Sequence, residues 1–380
     1  MGYPDFDKLI TYLYSTMESF ISTIRDTNYL YDTLNGEKYR FCEIPCNPAT
    51  AIKFKLDGKD FEIHANKVSA SSTWREDETR FIATQAPLPG TIVDFWSMVF
   101  QYECNIIVML CNFMEDGKNR ADPYFAQKEG EEQEFGRFKI RTTSVKKIIN
   151  ETTVERTLEV VDKENKHSTR HVKHYQFLVW KERGIPDGHE NVSKLMEMVD
   201  KDKSPIVVHC CAGMARTMAF IGLHVAIQMI IKNTEIELHE ILNKMGEQRW
   251  KYFLTYSQLE WFILAVIYQL TKMYELDRVV YDTQLKIFED NKDLFKIADK
   301  KLIKRLYKDY HRTEAGKEGE TLSKKFLLFG WLEITSEMYE LDTDVEDTQL
   351  ELFDEGLKEG ETPSKESPLE KARKMFSTEK

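Results

Sequence analysis

Apolar and polar residues recur along the chain with two different periods. Residues 1–30 place apolar side chains at helical spacing, which predicts an amphipathic helical lead-in. Residues 40–175 show mainly the pattern of short strands, separated by turn signals such as Asp57-Gly58. The strands predicted in this region are Ala51–Phe54, Phe81–Ala83, Asn105–Leu110, Phe138–Thr143 and Thr157–Val161.

Helical stretches lie between and after these strands. Ile92–Tyr102 comes just before the strand Asn105–Leu110, and Glu190–Val199 comes just before a further strand, Ile206–His209. From Thr217 to Leu270 the spacing is almost wholly helical. Because strands alternate with helices, we expect an α/β (α+β) fold in which helices flank a twisted, mixed central sheet, and which ends near residue 270.

After residue 270 the composition changes to one rich in lysine and glutamate, and an internal repeat occurs. Met-Tyr-Glu-Leu-Asp at 273–277 recurs at 338–342, and identities in the same register extend the copies over 273–288 and 338–353. Two copies are too few for a solenoid, so we predict a partial duplication whose two helical segments dock on a protein partner. The predicted divisions are a helical lead-in, a main domain, a mainly helical extension and a disordered tail: residues 1–24, 25–270, 271–358 and 359–380.

Composition and charge narrow the function classes. The chain is 42% hydrophobic and 12% aromatic, as globular proteins are, and its formal net charge of -11 gives no global electrostatic case for nucleic-acid binding. No apolar stretch is long enough to cross a bilayer, and the N-terminus lacks the pattern of a secretory signal. We therefore expect a cytoplasmic protein with reduced thiols. The histidines show no paired ligand spacing, so no metal and no cofactor is predicted.

The strongest chemical signal is a cysteine and an arginine six positions apart. After the strand that ends at His209 come Cys210, Cys211, Ala212, Gly213, Met214, Ala215 and Arg216, and Thr217 continues into a helix. A loop of small residues can turn its backbone N–H groups inward at a helix N-terminus, which makes an anion cradle and favours a thiolate. Arg216 would add a bidentate clamp on phosphoryl oxygens, and Cys210 would attack phosphorus in line. The alternative is a buried core cysteine with Arg216 as an exposed helix residue.

This segment resembles the signature of the protein tyrosine phosphatases, and further blocks resemble that family in the expected order. They are Lys38–Pro45 (phosphotyrosine loop), Ile63–Asn66, Phe81–Pro89 with Asp94–Trp96, Ile106–Leu110, Glu115–Arg120 (acidic loop), Tyr175–Pro186 (acid loop), and Gln248-Arg249 with Thr255-x-x-Gln258 (glutamine loop). The resemblance covers about residues 25–270, and the extension has no counterpart in it. It implies a phosphatase-like fold and a phosphotyrosine-containing protein or peptide as the partner.

The resemblance also implies roles for single residues. Cys210 would be the nucleophile and Arg216 the phosphate clamp, while His209 would orient the thiolate. Thr217 would hydrogen-bond the sulfur, and Gln258 would help position water. The phosphate would be bound by the loop residues Cys211, Ala212, Gly213, Met214 and Ala215.

Phe41 and Glu43 have implied roles on the substrate side, and Cys211 differs in identity from the family. Phe41 would stack on the substrate ring, in a pocket too deep for phosphoserine to reach the thiolate. Glu43 would grip the peptide backbone of the substrate. Cys211 stands where the family has serine; it is either a spectator or a thiol that pairs with an oxidised Cys210.

The chain departs from the family pattern at three loops. Trp180-Lys181-Glu182 replaces Trp-Pro-Asp, so Glu182 would be a general acid on a longer side chain without the stiffening proline. Leu254 replaces a glutamine that positions water for hydrolysis of the phosphocysteine. Ala215 and Met218 replace glycines, and any position there that needs a positive φ would resist a side chain.

Three functions remain open on these residues. The first is a phosphatase that hydrolyses phosphotyrosine in proteins through a phosphocysteine intermediate, with reduced activity. The second is a pseudophosphatase that binds phosphotyrosine without efficient turnover. The third is an interaction scaffold in which the duplicated segments supply the partner surface.

Overall fold

The structure is a computed structural model, and it describes most of the predicted main domain. Predictions for the helical lead-in, the second copy of the repeat and the tail lie outside the described residues and stay predictions. The described residues are 36–41, 44, 46–56, 58–69, 79–165, 168–182, 184–232, 238–249, 256–275 and 278–290.

A nine-stranded mixed sheet forms the centre of the described part of the chain, in the order β1-β2-β3-β11-β4-β10-β9-β8-β7. The four central strands β3, β11, β4 and β10 run parallel, and the outer pairs are antiparallel. A separate hairpin joins β5 to β6. The strands are β1 Ala51–Leu56, β2 Lys59–Ser69, β3 Thr79–Thr84, β4 Ile106–Met109, β5 Met114–Glu115, β6 Lys118–Asn119, β7 Glu132–Phe135, β8 Phe138–Ile148, β9 Thr153–Asp162, β10 Ser168–Phe177 and β11 Ile206–His209.

Helices cover the sheet. α1 contacts β1 and β2, while α3 contacts β3 and β11 and is itself packed against α2, α4 and α5. α3 is buried on nearly every side, in keeping with the apolar residues all around it. The helices are α1 Ile92–Gln101, α2 Glu190–Val199, α3 Ala215–Ile231, α4 Leu238–Gln248, α5 Tyr256–Met273 and α6 Val279–Asp290, with short 3-10 turns at Gly36–Lys38 and Pro89–Thr91.

The predicted fold class is confirmed: helices flank a large mixed sheet. The strand Ile206–His209 and the helix Glu190–Val199 have the predicted bounds, and β8 and β9 run longer than predicted. The pattern did not single out β2 or β10. Both strands bury polar side chains, so the alternation of apolar and polar residues that predicts a strand is hidden. The buried polar residues are His64 and Asn66 in β2, and His174 and Gln176 in β10.

The first helix of the predicted extension packs on the main domain. α6 lies against α5, and its Tyr281 and Phe288 belong to the buried core. The expected boundary at residue 270 falls inside α5, and the division of the chain stays a prediction. Among the residues described, none of the helices is both long and apolar enough to cross a bilayer.

Candidate active site

Cys210 lies at the carboxyl end of the central strand β11, between the ends of β3 and β4. His209 is in register with Thr84 on one side and Met109 on the other, and its carbonyl accepts a hydrogen bond from the N–H of Leu110 at 2.8 Å. α3 begins at Ala215, so the predicted order of strand, short loop and helix is present. Cys210 is buried at the joint between the two.

Gly213 is the residue at which the loop needs a positive φ. Its φ is +68°, and a Cβ placed there would lie 2.1 Å from the carbonyl oxygen of Thr84, so only glycine fits. Because Ala215 and Met218 stand where the family has glycines, the sequence predicts backbone strain at either residue if its φ is positive. Both lie in α3 and neither has a positive φ, so that strain is absent.

A buried arginine holds the loop from behind. Arg249 follows α4 and is 0% exposed; its guanidinium donates to the carbonyls of Gly213 (3.0 Å) and Ala212 (3.2 Å). It also donates to Asn66 Oδ1 at 2.7 Å and lies 3.1 Å from His64 Nδ1.

These bonds set the direction of the loop amides. The carbonyl of Cys211 accepts from the N–H of Ala86 at 2.9 Å, so the carbonyls of residues 211 to 213 are all engaged. In a planar trans peptide the following N–H points the opposite way. The N–H groups of Ala212, Gly213 and Met214 therefore face away from these partners, as an anion cradle requires.

Arg216 is buried beside the cysteine. Its Nη1 donates to Glu115 Oε1 and to the carbonyl of Trp180, both at 2.8 Å, while Nη2 is buried without a partner. Burial lowers the pKa of Arg216, but Cys210, Cys111 and Glu115 raise it above its ordinary value. The alternative in which Arg216 is an exposed helix residue is wrong, because its exposure is only 2%.

A buried chain of rings orients His209. Its Nδ1 lies 3.1 Å from the carbonyl of Cys210, which can only accept, so Nδ1 carries the proton. Burial lowers the pKa of His209 to about 4, so the ring is neutral and Nε2 accepts from the Tyr124 hydroxyl at 2.8 Å. Tyr124 in turn lies 2.8 Å from His174 Nε2, which donates to it. His209 thus acts on Cys210 through the backbone.

Thr217 lies in the first turn of α3. Its hydroxyl is buried and makes no hydrogen bond in the described residues, so the expected bond to the sulfur is not formed in this structure. Together with Nη2 of Arg216, it leaves two buried polar groups near Cys210 without partners. Such groups are rare in folded proteins and call for an explanation.

The acid loop contacts the cradle through Glu115. The N–H of Glu182 donates to Glu115 Oε2 at 3.1 Å, and the opposite oxygen of Glu115 holds Arg216. The Glu182 carboxylate forms an ion pair with Arg120, both side chains being mostly buried. The neighbouring Lys181 is exposed. A single ion pair thus holds the Glu182 carboxylate.

The second loop cysteine is a poor nucleophile. Burial is the main cause that raises the pKa of Cys211 to about 12, and the nearby Glu182 and Cys210 act in the same direction. Burial likewise raises the pKa of Cys111 well above its usual range. The described cysteines are all unpaired; they are Cys46, Cys104, Cys111, Cys210 and Cys211.

These features coincide with a family match. Residues 35–268 match the family model described as protein-tyrosine phosphatase. The chain belongs to the protein-tyrosine phosphatase family. The chain is 31% identical over 249 residues to tyrosine-protein phosphatase non-receptor type 20 of Rattus norvegicus, which is 65% of this chain and 58% of the relative. It is also 31% identical over 210 residues to protein-tyrosine-phosphatase PTP1 of Arabidopsis thaliana, which is 54% of this chain and 58% of the relative.

The match therefore spans little more than half the length of these two relatives. Among solved structures, the chain is similar to PTPN18 in complex with HER2-pY1196 phosphopeptides, with a TM-score of 0.60 and 25% identity. That alignment covers 68% of this chain and 92% of the PTPN18 chain.

The structure describes most of the predicted site residues, but not all of them. Residues 209–217 form the end of β11, the loop and the first turn of α3. Glu115 links the N–H of Glu182 to Arg216, and Gln258 is buried in the first turn of α5. Phe41 is partly buried on a segment tied to the cradle, because Arg40 donates to the carbonyl of Ala86 at 3.3 Å. Glu43 and Leu254 lie outside the described residues.

Sequence reasoning gave no role to three residues that support the site: Arg249, Glu115 and Tyr124. Arg249 and Glu115 stand inside blocks that resemble the family, so their positions were visible although their contacts were not. Tyr124 carried no signal of its own.

Proposed function

We propose that this chain hydrolyses phosphotyrosine in proteins through a phosphocysteine intermediate, with reduced turnover. The observation that carries the proposal is a buried guanidinium beside Cys210, with Nη1 fully engaged and Nη2 without a partner. A phosphate dianion would accept from Nη2 and from the amides that face away from Arg249. A bound phosphate would thereby give this buried donor the acceptor that it otherwise lacks.

In the first step the Cys210 thiolate attacks phosphorus, and the bond from phosphorus to the tyrosyl oxygen breaks. Glu182 donates a proton to the leaving phenolate. In the second step water attacks phosphorus, the sulfur–phosphorus bond breaks and the thiolate leaves, while Glu182 takes up the proton of the water. The products are tyrosine and inorganic phosphate, and the cycle needs no cofactor.

The reduced turnover follows from the acid loop and the water site. Glu182 must give up its ion pair with Arg120 before its carboxyl reaches a leaving group. Leu254 offers no hydrogen bond to the attacking water, so hydrolysis of the phosphocysteine should suffer more than its formation. The second step is therefore expected to limit the rate.

The Arg120–Glu182 ion pair also favours a second candidate, a phosphotyrosine-binding module without efficient turnover. If the acid loop never releases Glu182, the cradle still binds phosphate. Phosphotyrosine peptides, such as those bound by PTPN18, are the ligand class expected in both cases.

Rapid-mixing kinetics with an aryl phosphate separate the two candidates. A phosphatase limited by its second step releases a burst of phenol equal to the enzyme concentration and then turns over slowly. The absence of any phenol release, in the burst and in the steady state, together with phosphopeptide binding that Arg216→Ala abolishes, would leave only the binding module. Cys210→Ser is the control, since it should remove the burst and keep the binding.

A further inference from the structure

α6 has one buried face and one exposed face. Its buried residues Tyr281, Gln284 and Phe288 are at most 4% exposed, and Leu285 is partly buried against the same core. Its exposed positions are Asp282, Lys286, Glu289 and Asp290. The three buried residues at helical spacing make a docking face.

The surface that receives this face lies on α5 and at the start of α2; we call it the α6 groove. Tyr281 forms a hydrogen bond of 2.8 Å with His189 Nδ1 and an edge contact with Tyr268 at 5.0 Å between ring centroids. His189 stacks on Trp261, with the ring centroids 5.3 Å apart. The α6 groove therefore has an aromatic floor with one polar partner.

The second copy of the repeat keeps two of the three docking-face residues. Gln284 and Phe288 recur as Gln349 and Phe353, and the neighbouring Leu285 recurs as Leu350. Exposed residues of the first copy change: Val279, Lys286, Glu289 and Asp290 become Asp344, Glu351, Asp354 and Glu355. Retention of the buried positions and drift of exposed ones is expected if both copies must fit the same surface.

The signals that begin a helix are retained as well. Thr343 stands where the first copy has Arg278, and threonine is a good N-cap residue. Asp282 is exposed yet unchanged as Asp347, which fits its place in the first turn of α6, where an acidic side chain complements the helix dipole. The second copy thus has the elements of a helix with the α6 docking face.

One buried position differs. Tyr281 becomes Glu346, so a carboxylate would face His189 in place of a phenol. Burial lowers the pKa of His189 to about 4, so the ring is neutral and offers no charge to pair with that carboxylate. Because burying a charge without an opposite partner is costly, the second copy should be the weaker occupant.

We propose that residues 343–353 are a second ligand for the α6 groove and compete in the same chain with Val279–Asp290. The two copies are joined covalently, so the competition is intramolecular and independent of protein concentration. The first copy then occupies the α6 groove, and the second copy binds there when the contacts of the first copy are weakened.

Hydrogen exchange of the full chain, read on peptides from α2 and α5, tests this with four proteins: the wild type, Phe288→Ala, Phe353→Ala and the double variant. Phe353→Ala alone should change exchange less than about twofold, because the first copy holds the groove. In the Phe288→Ala background it should speed exchange by on the order of tenfold, because the second copy has taken over. Gln284→Ala replaces Phe288→Ala if the latter does not fold.

A reversed design makes the test sharper. Tyr281→Glu combined with Glu346→Tyr should exchange the roles, so that Phe288→Ala becomes nearly silent and Phe353→Ala becomes costly. Phe376→Ala, a phenylalanine outside both copies, is the matched control. The proposal is overturned if Phe353→Ala is silent in the Phe288→Ala background, or if it has the same effect in both backgrounds. A coupling that weakens on dilution would overturn it in favour of an occupant from another molecule.

Discussion

The cradle loop and the acid loop lie on either side of Glu115, but they are held in different ways. Arg249 and Ala86 hold the cradle by its backbone carbonyls, and a glycine with no room for a side chain shapes it. On the acid loop, an ion pair with Arg120 holds the Glu182 carboxylate.

The difference shows which half of the site tolerates sequence change. The cradle binds through backbone N–H groups, so Cys211, Ala215 and Met218 can stand where the family has other residues without loss of donors. The acid loop works through the reach of one side chain, and Glu182 in place of aspartate alters that reach. Binding of phosphate should therefore be more robust than transfer of the proton.

The largest effect is expected from Gly213→Ala, which breaks the cradle. The new Cβ would meet the Thr84 carbonyl oxygen, so the free energy of unfolding should fall by about 3–5 kcal/mol. Loss of the aligned amides should lower turnover by about 10²–10³-fold. Urea unfolding and kcat/KM with an aryl phosphate measure the two effects.

Gly188→Ala is the matched control, because Gly188 has the same φ of +68° and open space around it. It should cost only the left-handed backbone term of about 1–2 kcal/mol. Equal destabilisation by the two variants would show that contact with Thr84 does not shape the loop.

Glu182→Gln tests the acid loop itself. If Glu182 protonates the leaving group, kcat/KM for phosphotyrosine should fall by about 10²-fold, and less for an aryl phosphate with a more acidic phenol, because kcat/KM reports the first step. The exposed neighbour Lys181→Ala serves as control and should change kcat/KM little. An unchanged kcat/KM in Glu182→Gln would exclude this residue as the acid and support the binding module.

His209→Gln tests the buried side of the cradle through the pH dependence of the free energy of unfolding. The pKa of His209 is about 4 in the folded chain and about 6.5 when unfolded, so between these values only the unfolded chain gains the proton. Wild-type stability contributed by this group is full above pH 6.5 and falls on acidification toward pH 4, by up to about 1.4 kcal/mol per pH unit. The variant should lose that slope in urea unfolding measured across this range. If His209→Gln keeps a pH slope as steep as that of the exposed control His171→Gln, then His209 contributes nothing to the pH dependence of stability.

Arg120→Met gives the smallest expected effect and releases Glu182. Because the desolvation cost of two mostly buried charges offsets much of their attraction, kcat should rise only about two- to fivefold. Salt screens a mostly buried pair weakly, so added salt should change kcat by less than about twofold in both proteins. Arg120→Lys keeps the charge and is the control. A lower kcat in Arg120→Met would mean that Arg120 positions Glu182 for catalysis.

Strands of the central sheet could be predicted where their residues form an unbroken apolar pattern. The buried strand Ile206–His209 is a continuous apolar run between turn signals, and parallel central strands have that pattern. β2 and β10 were not singled out, because buried His64, Asn66, His174 and Gln176 interrupt the apolar positions. Their polar groups find partners on other segments of the chain: Arg249 donates to Asn66 and contacts His64, and Tyr124 contacts His174.

The amino-acid sequence alone indicated the cradle, because a strand end, a small-residue loop and a helix start are contiguous in the chain and follow local rules of backbone geometry. It also indicated that the acid loop had changed, since Lys181 and Glu182 are visible by identity. Only the tertiary structure decided how the two loops are held. Arg249, Glu115, Arg120 and Tyr124 come from other elements, and burial and hydrogen bonding between distant segments exist only once the sheet has formed.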